Sequence, residues 1–213
     1  MRLAARLVPP GVMAVEMRDT GQDVPLHPAE AMLVEGAVDK RRREFALGRA
    51  CARAALAGCG VADAIIGQDA ARRPVWPGGM VGSITHTRIQ DGGYAAALAA
   101  PATRHAGLGV DAECVGGMTE NLFSRLFLPE ERAALAACAA DDKAWLATLL
   151  FTAKEACFKA AHPLTDGRLS FSAIAVTVTG DAFLGHVPGR QAPVPGRHAT
   201  DGDLVVSCAW IAR

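Results

Sequence analysis

Two carboxylates stand two positions apart at Asp111 and Glu113, inside the stretch Gly107-Leu108-Gly109-Val110-Asp111-Ala112-Glu113. In an extended chain successive side chains point to opposite faces. Leu108, Val110 and Ala112 therefore face a core, and both acids face away from it. Like charges at i and i+2 repel, and a cation between them removes the repulsion. Oxygen-only donors suit a hard ion such as magnesium, which takes one or two carboxylates together with phosphate oxygens and water. The plainer alternative is a solvent-facing strand end that happens to carry two acids.

Three further groups have types suited to phosphate chemistry. Lys154, Glu155 and Lys159 interrupt an otherwise apolar helical segment. Taken alone, Glu155 and Lys159 read equally well as an exposed i,i+4 pair worth about 0.2–0.5 kcal/mol. Arg42, Arg49 and Arg53 fall seven and four positions apart, so they share a helix face. Guanidinium forks match phosphate oxygens, although a solvated basic helix would look the same. Thr85 and His86 end a strand that follows the basic loop 72–79, which holds Arg72 and Arg73. That placement could receive a phosphate, against the alternative of a satisfied, half-buried histidine.

The elements that must position these groups follow from periodicity and punctuation. A first strand is expected at 12–17, a loop at 19–28, and a helical start at 27–30 leading into 31–35. A longer helix is expected over 39–57, capped by Asp39 and stopped by Gly58. A short strand or turn at 61–69 and the loop 72–79 precede strands at 80–87 and 94–100. The turn Asp91-Gly92-Gly93 makes those two a hairpin. Residues 101–106 connect to the acidic strand. Helices follow at 119–127, at 129–140 with proline at its first turn, and at 143–161 with Asp141-Asp142 as cap and Pro163 as stop. Strands are expected at 171–178 and 204–211, with a turn at Gly180-Asp181, and 188–197 reads as a mobile hairpin end.

At 213 residues a chain buries roughly 70% of its unfolded surface and needs no covalent staples. Lys+Arg equals Asp+Glu at 22 each, which argues against a bulk nucleic-acid binder. The start has no secretory apolar segment, because Arg2 and Arg6 interrupt it, and no membrane span is expected. Six cysteines without C-x-x-C spacing read as reduced thiols of a cytoplasmic protein, not as a zinc site or a nucleophile.

Taken together, Ser83-Ile84-Thr85-His86, Gly109-Val110-Asp111-Ala112-Glu113 and Phe151-Thr152-Ala153-Lys154-Glu155-Ala156-Cys157-Phe158-Lys159-Ala160 resemble the 4′-phosphopantetheinyl transferases in order and distance. The stretch 41–49 and the loop 73–77 look like those of the surfactin-type class, in its enterobactin synthetase component D-like branch. Ala112, Thr85 and Phe151 depart from the family's usual larger aliphatic residue, serine and tryptophan. None of the three departures removes a charged group.

The resemblance implies an α/β (α+β) fold of two similar halves with pseudo-twofold symmetry, residues 1–104 and 105–213, with coenzyme A between them. It implies an enzyme that moves the phosphopantetheine arm of coenzyme A onto a serine of an apo carrier protein (a peptidyl, aryl or acyl carrier domain) and releases adenosine 3′,5′-bisphosphate. Magnesium is implied at Asp111, Glu113 and Glu155, with Glu155 as metal ligand, as base, or as both. Lys159, beside the phosphates, and His86 join Glu155 as catalytic residues. Arg49, Arg53, Arg73, Thr85, His86, Lys154 and Lys159 are implied on coenzyme A, and Lys40 to Arg43 on the carrier. A monomer serving siderophore, other nonribosomal peptide or polyketide synthesis is expected. Two rivals stand beside this reading: another magnesium-dependent phosphate-transfer enzyme, and a non-enzymatic coenzyme A or carrier-binding module.

Overall fold

The computed structural model describes residues 2–90, 92–165 and 168–213. The chain opens on a short helix not foreseen from the sequence, α1 (Ala4–Leu7), then β1 (Met13–Arg18), α2 (Pro28–Ala31) with a 3-10 turn at Met32–Val34, and α3 (Asp39–Gly58). Two short strands, β2 (Gly67–Gln68) and β3 (Pro74–Val75), precede the hairpin β4 (Met80–Ile89) and β5 (Gly92–Pro101). Asp91, expected in that turn, lies outside the described residues. The second half runs β6 (His105–Cys114), α4 (Phe123–Leu126), α5 (Pro129–Ala137), α6 (Ala140–Ala161), β7 (Ala175–Thr179), β8 (Ala182–His186), β9 (Val194–Asp201) and β10 (Leu204–Ala212). The architecture is mixed α/β, as expected.

Each of the two larger sheets is antiparallel and carries one long helix. α3 lies on the sheet ordered β1-β5-β4, and α6 on the sheet ordered β6-β10-β9-β8-β7. Alanines give β5 two buried faces. Ala95, Ala97 and Ala99 pack toward α3 with Leu47, Cys51 and Leu56. Tyr94, Ala96, Leu98 and Ala100 pack against Leu108, Val110 and Ala112 of β6. The apolar face expected for the acidic strand is thus the contact between the two larger sheets, and the small Ala112 sits within it.

Several expected details differ. α3 starts with Val38 as its extended N-cap, and Asp39 is its first helical residue without a side-chain cap bond. α6 begins at Ala140, ahead of the acids expected to cap it. The expected strand at 171–178 opens as a 3-10 turn at Phe171–Ala173. β8 was not foreseen, and the stretch read as a mobile hairpin end contains the start of β9. Pro195 and Gly196 suggested a loop, but both lie in β9, opposite Leu184 and Phe183. A Cβ on Gly196 would lie 2.1 Å from the Phe183 ring, so this glycine makes room for a core aromatic side chain.

Glycine also sets how closely α6 approaches β6. A Cβ on Gly109 would lie 1.8 Å from the Ala156 carbonyl oxygen, and one on Gly107 would lie 2.0 Å from that of Ala160. Helix backbone therefore rests directly on strand backbone. Gly109→Ala is expected to lower stability by about 1–3 kcal/mol through overpacking. The measurement is the denaturant midpoint, and an unchanged midpoint would show that helix and strand separate freely.

Candidate active site

β4 and β6 are the facing edges of the two sheets. No backbone ladder joins them; hydroxyls do. Ser83 Oγ accepts from the Val110 N–H at 3.0 Å. Thr85 Oγ1 donates to Asp111 Oδ1 at 3.0 Å, and Thr87 Oγ1 to Glu113 Oε2 at 2.9 Å. The three hydroxyls alternate along β4, so they share one face. They bond to β6 in ascending order, which makes the two strands parallel neighbours. The acids of β6 lie along this seam.

α6 covers the seam. Because the glycines let it lie so close, Lys159 reaches Asp111 Oδ1 at 2.7 Å and the Val110 carbonyl at 3.1 Å. Glu155 is one helical turn before Lys159 on the same face. Burial holds the Glu155 carboxyl above the usual carboxylate range; Lys159 opposes the shift, while Asp111 and Glu113 add to it. Glu113 is likewise raised, first by burial, with Asp111 adding and the Thr87 bond and Lys159 opposing. The three carboxylates thus feel one another electrostatically.

Asp111, Glu113 and Glu155 could hold a divalent cation. Asp111 Oδ2 is buried and without a hydrogen-bond partner among the described residues. An orphaned carboxylate oxygen, all-oxygen donors and mutual repulsion fit a hard cation. Among the described residues no three His, Cys, Asp or Glu side chains are already gathered in ligating positions. Thr85 and Lys159 engage Asp111 instead.

A cavity of about 490 Å³ adjoins the seam, between the basic loop, β4, β6 and the end of α6. Trp76 and Phe158 supply apolar wall, and Arg73, Lys159 and His162 supply charge or donors. Arg73 is exposed on its rim; its Nε donates to Asp69 Oδ2 at 2.7 Å, and its Nη1 lies 3.4 Å from His162 Nδ1. On the other side of β4, His86 lines a smaller hollow of about 340 Å³. Its Nε2 lies 3.0 Å from Arg41 Nη1. Burial, with smaller contributions from Arg41 and Lys159, lowers the His86 pKa against Glu44. A guanidinium only donates, so Nε2 accepts from Arg41, and the lowered pKa favours the neutral ring that this bond needs.

Not every expected site residue comes to the cleft. Arg49 is buried, stacked 4.5 Å over the Phe45 ring, and its Nη2 donates to the Gly67 carbonyl at 3.2 Å. Burial lowers its pKa to about 10, which leaves it charged at pH 7, and its Nε has no partner among the described residues. Arg53 is not free to meet a substrate here. It pairs with the buried Glu30 and donates to the Pro25 carbonyl at 3.0 Å, while Glu30 also accepts from the Ile66 N–H at 3.1 Å. Lys154 is likewise withdrawn from the cleft. It is fully buried and donates to Glu131 Oε2 at 2.6 Å, with its Nζ 5.7 Å from the centre of the Phe127 ring and 5.8 Å from that of Phe171.

Sequence reasoning gave no role to Ser83, Thr87 or His162, and it assigned Arg41 to the carrier. The alternation of Ser83, Thr85 and Thr87 along a strand was a usable signal for the seam. Nothing in the local pattern marked His162. All six cysteines are free, and burial pushes the Cys51 and Cys157 thiols up to about 12, which suits packing and not nucleophilic chemistry.

Comparison with known proteins fits this geometry. The family model for the 4′-phosphopantetheinyl transferase N-terminal domain matches residues 29–100, and that for the 4′-phosphopantetheinyl transferase superfamily matches residues 107–202. The 4′-phosphopantetheinyl transferase Npt of Nocardia iowensis is 40% identical over 171 residues, covering 80% of this chain and 74% of that protein. The 4′-phosphopantetheinyl transferase Svp of Streptomyces mobaraensis is 42% identical over 183 residues, 83% of this chain and 71% of that one. The 4′-phosphopantetheinyl transferase PptT of Mycobacterium tuberculosis is 37% identical over 155 residues, 73% and 66% respectively. The crystal structure of Thermotoga maritima holo-[acyl-carrier-protein] synthase aligns with 50% of this chain and 63% of that one, at 18% identity and a TM-score of 0.38. With carboxylates, a lysine and a basic cavity gathered at the seam, and with relatives of this closeness over most of its length, the chain belongs to the 4′-phosphopantetheinyl transferase family and is a transferase.

Proposed function

We propose that the protein transfers the 4′-phosphopantetheine arm of coenzyme A to a serine hydroxyl of an apo carrier protein, with magnesium. The observation that carries this reading is the cluster of Asp111, Glu113 and Glu155 around Lys159, which itself lines a basic cavity. The serine oxygen forms the new bond to the phosphorus bearing the pantetheine arm. The pyrophosphate bond breaks, and adenosine 3′,5′-bisphosphate leaves with the electron pair. Glu155 accepts the serine proton, directly or through water. Lys159 neutralises charge on the phosphates. Magnesium held by Asp111, Glu113 and Glu155 would stabilise the charge that builds on the pyrophosphate oxygens.

The same reading places coenzyme A between the halves 1–104 and 105–213. Arg73 and His162 support one anchor. His86 and Arg41 support another at the 3′-phosphate and adenine end, without Arg49, which is buried over Phe45 and donates to the Gly67 carbonyl. Arg53 and Lys154 drop out of the proposed contacts because Glu30 and Glu131 already hold them. Both the cavity and the carboxylates come from one chain, which supports a monomer. The free cysteines support a cytoplasmic setting. The sequence likeness to the enterobactin synthetase component D-like branch supports carriers of siderophore or other nonribosomal peptide synthesis, or of polyketide synthesis.

The test is to incubate the protein with coenzyme A, magnesium and apo carriers of the peptidyl, aryl and acyl kinds, then weigh each carrier by mass spectrometry. A gain of one phosphopantetheine on at least one carrier is expected. No gain on any of them would end the proposal.

A further inference from the structure

We propose that Lys159 competes with the divalent cation for Asp111, so that the cation seat is completed only when coenzyme A draws the lysine away. This deepens the proposed function and rests on it for the identity of the phosphate ligand. The competition itself concerns only this chain and a cation.

The argument starts from Asp111, whose side chain is 7% exposed. Its Oδ1 already accepts from two donors, Lys159 Nζ at 2.7 Å and Thr85 Oγ1 at 3.0 Å. Its Oδ2 is buried and has no partner among the described residues. An ammonium at 2.7 Å supplies the positive charge that a cation would otherwise supply. A divalent ion binding through Asp111 would come within a few ångströms of that ammonium, where like charges in a partly buried site repel strongly. Both cannot occupy Asp111 at full strength.

The lysine has somewhere to go. It lies at the wall of the 490 Å³ cavity, and its side chain keeps 28% exposure. A pyrophosphate in that cavity offers an ammonium several anionic oxygens in place of one carboxylate oxygen and the Val110 carbonyl. Lys159 would then turn from Asp111 to the substrate and carry its charge away from the carboxylate that the cation uses. Thr85, whose hydroxyl can rotate, need not leave. Coenzyme A binding and cation binding become mutually reinforcing, and by linkage each must strengthen the other by the same factor.

The experiment is calorimetric titration of the metal-free full-length protein with magnesium, in the absence of coenzyme A. Wild type is compared with Lys159→Met, which keeps the length and removes the charge, and with Lys159→Arg, which keeps the charge. The expected result is magnesium binding at least tenfold tighter in Lys159→Met than in wild type, with Lys159→Arg remaining weak. Equal or weaker affinity in Lys159→Met would overturn the proposal. A wild-type measurement guards against a variant that fails to fold: acylation of Lys159 by acetic anhydride, read by peptide mass spectrometry. Saturating magnesium should accelerate it, and an unchanged rate would likewise overturn the competition. Titration of wild type with coenzyme A alone is the separate arm. If coenzyme A does not bind, the functional reading fails, while the magnesium arms still decide whether Lys159 guards Asp111.

Discussion

Asp111→Asn is expected to lower kcat/KM for carrier modification by about 10²–10³-fold, the usual cost of removing one preorganised electrostatic group from a polar site. The substitution keeps the shape and leaves an amide oxygen to accept from Thr85. It removes the charge that faces Lys159 and that a cation would use. Lys159 retains the Val110 carbonyl at 3.1 Å and some access to water, so the denaturant midpoint should move little. The informative pairing is therefore a large kinetic loss with a small stability change. If transfer stayed within a few fold of wild type, Asp111 would have no place among the reacting groups. If the protein unfolded instead, the seam would depend on this carboxylate for its structure.

Lys154→Met is expected to cost about 3–5 kcal/mol of stability, the range for breaking a buried ion pair from one side. That is a large part of the roughly 5–15 kcal/mol a domain possesses. The substitution leaves Glu131, 5% exposed, with only the backbone N–H groups of Leu128 at 2.9 Å and Val176 at 3.0 Å. This one carboxylate ties the start of α5, the middle of α6 and the start of β7 together. The double variant Lys154→Met/Glu131→Gln should recover part of the loss, because no buried charge then stands alone. A loss below about 1 kcal/mol for the single change would contradict a structural role. Coenzyme A affinity of the folded variant provides a second check. It should be near that of wild type, whereas the sequence reading of Lys154 as a substrate contact would have it weakened.

The acidic strand was legible because its alternation is regular and its glycines, acids and apolar residues each occupy one face. α3 and α6 were legible because their apolar stripes are long and their ends are punctuated. The uses made of the charged side chains on those helices were not. Helical spacing places Lys154 and Glu155 on different faces of α6, yet nothing local says that the face bearing Lys154 is buried against Glu131. Arg53 presents the same difficulty, since its partner Glu30 comes from another element. β8 and β9 were hidden for a different reason. Gly196 and Gly185 sit where Phe183 and Cys157 need room, so residues that usually mark turns were serving packing. His86 and Arg41 were read separately, and only the fold brings them to 3.0 Å.

The hydroxyl seam between β4 and β6 also bears on how the protein fails. An edge strand is a template for pairing with another chain, and this fold has two that shelter each other through three side-chain hydrogen bonds. Should the two sheets part along this seam, each edge would offer its free backbone groups to a neighbouring molecule. The apolar row Leu108, Val110 and Ala112 would be uncovered at the same moment. Heating or mild denaturant should therefore produce turbidity while much of the helix signal remains, and it should do so more readily as protein concentration rises. A ligand bridging this seam would suppress that aggregation, which makes solubility on heating a simple readout of occupancy.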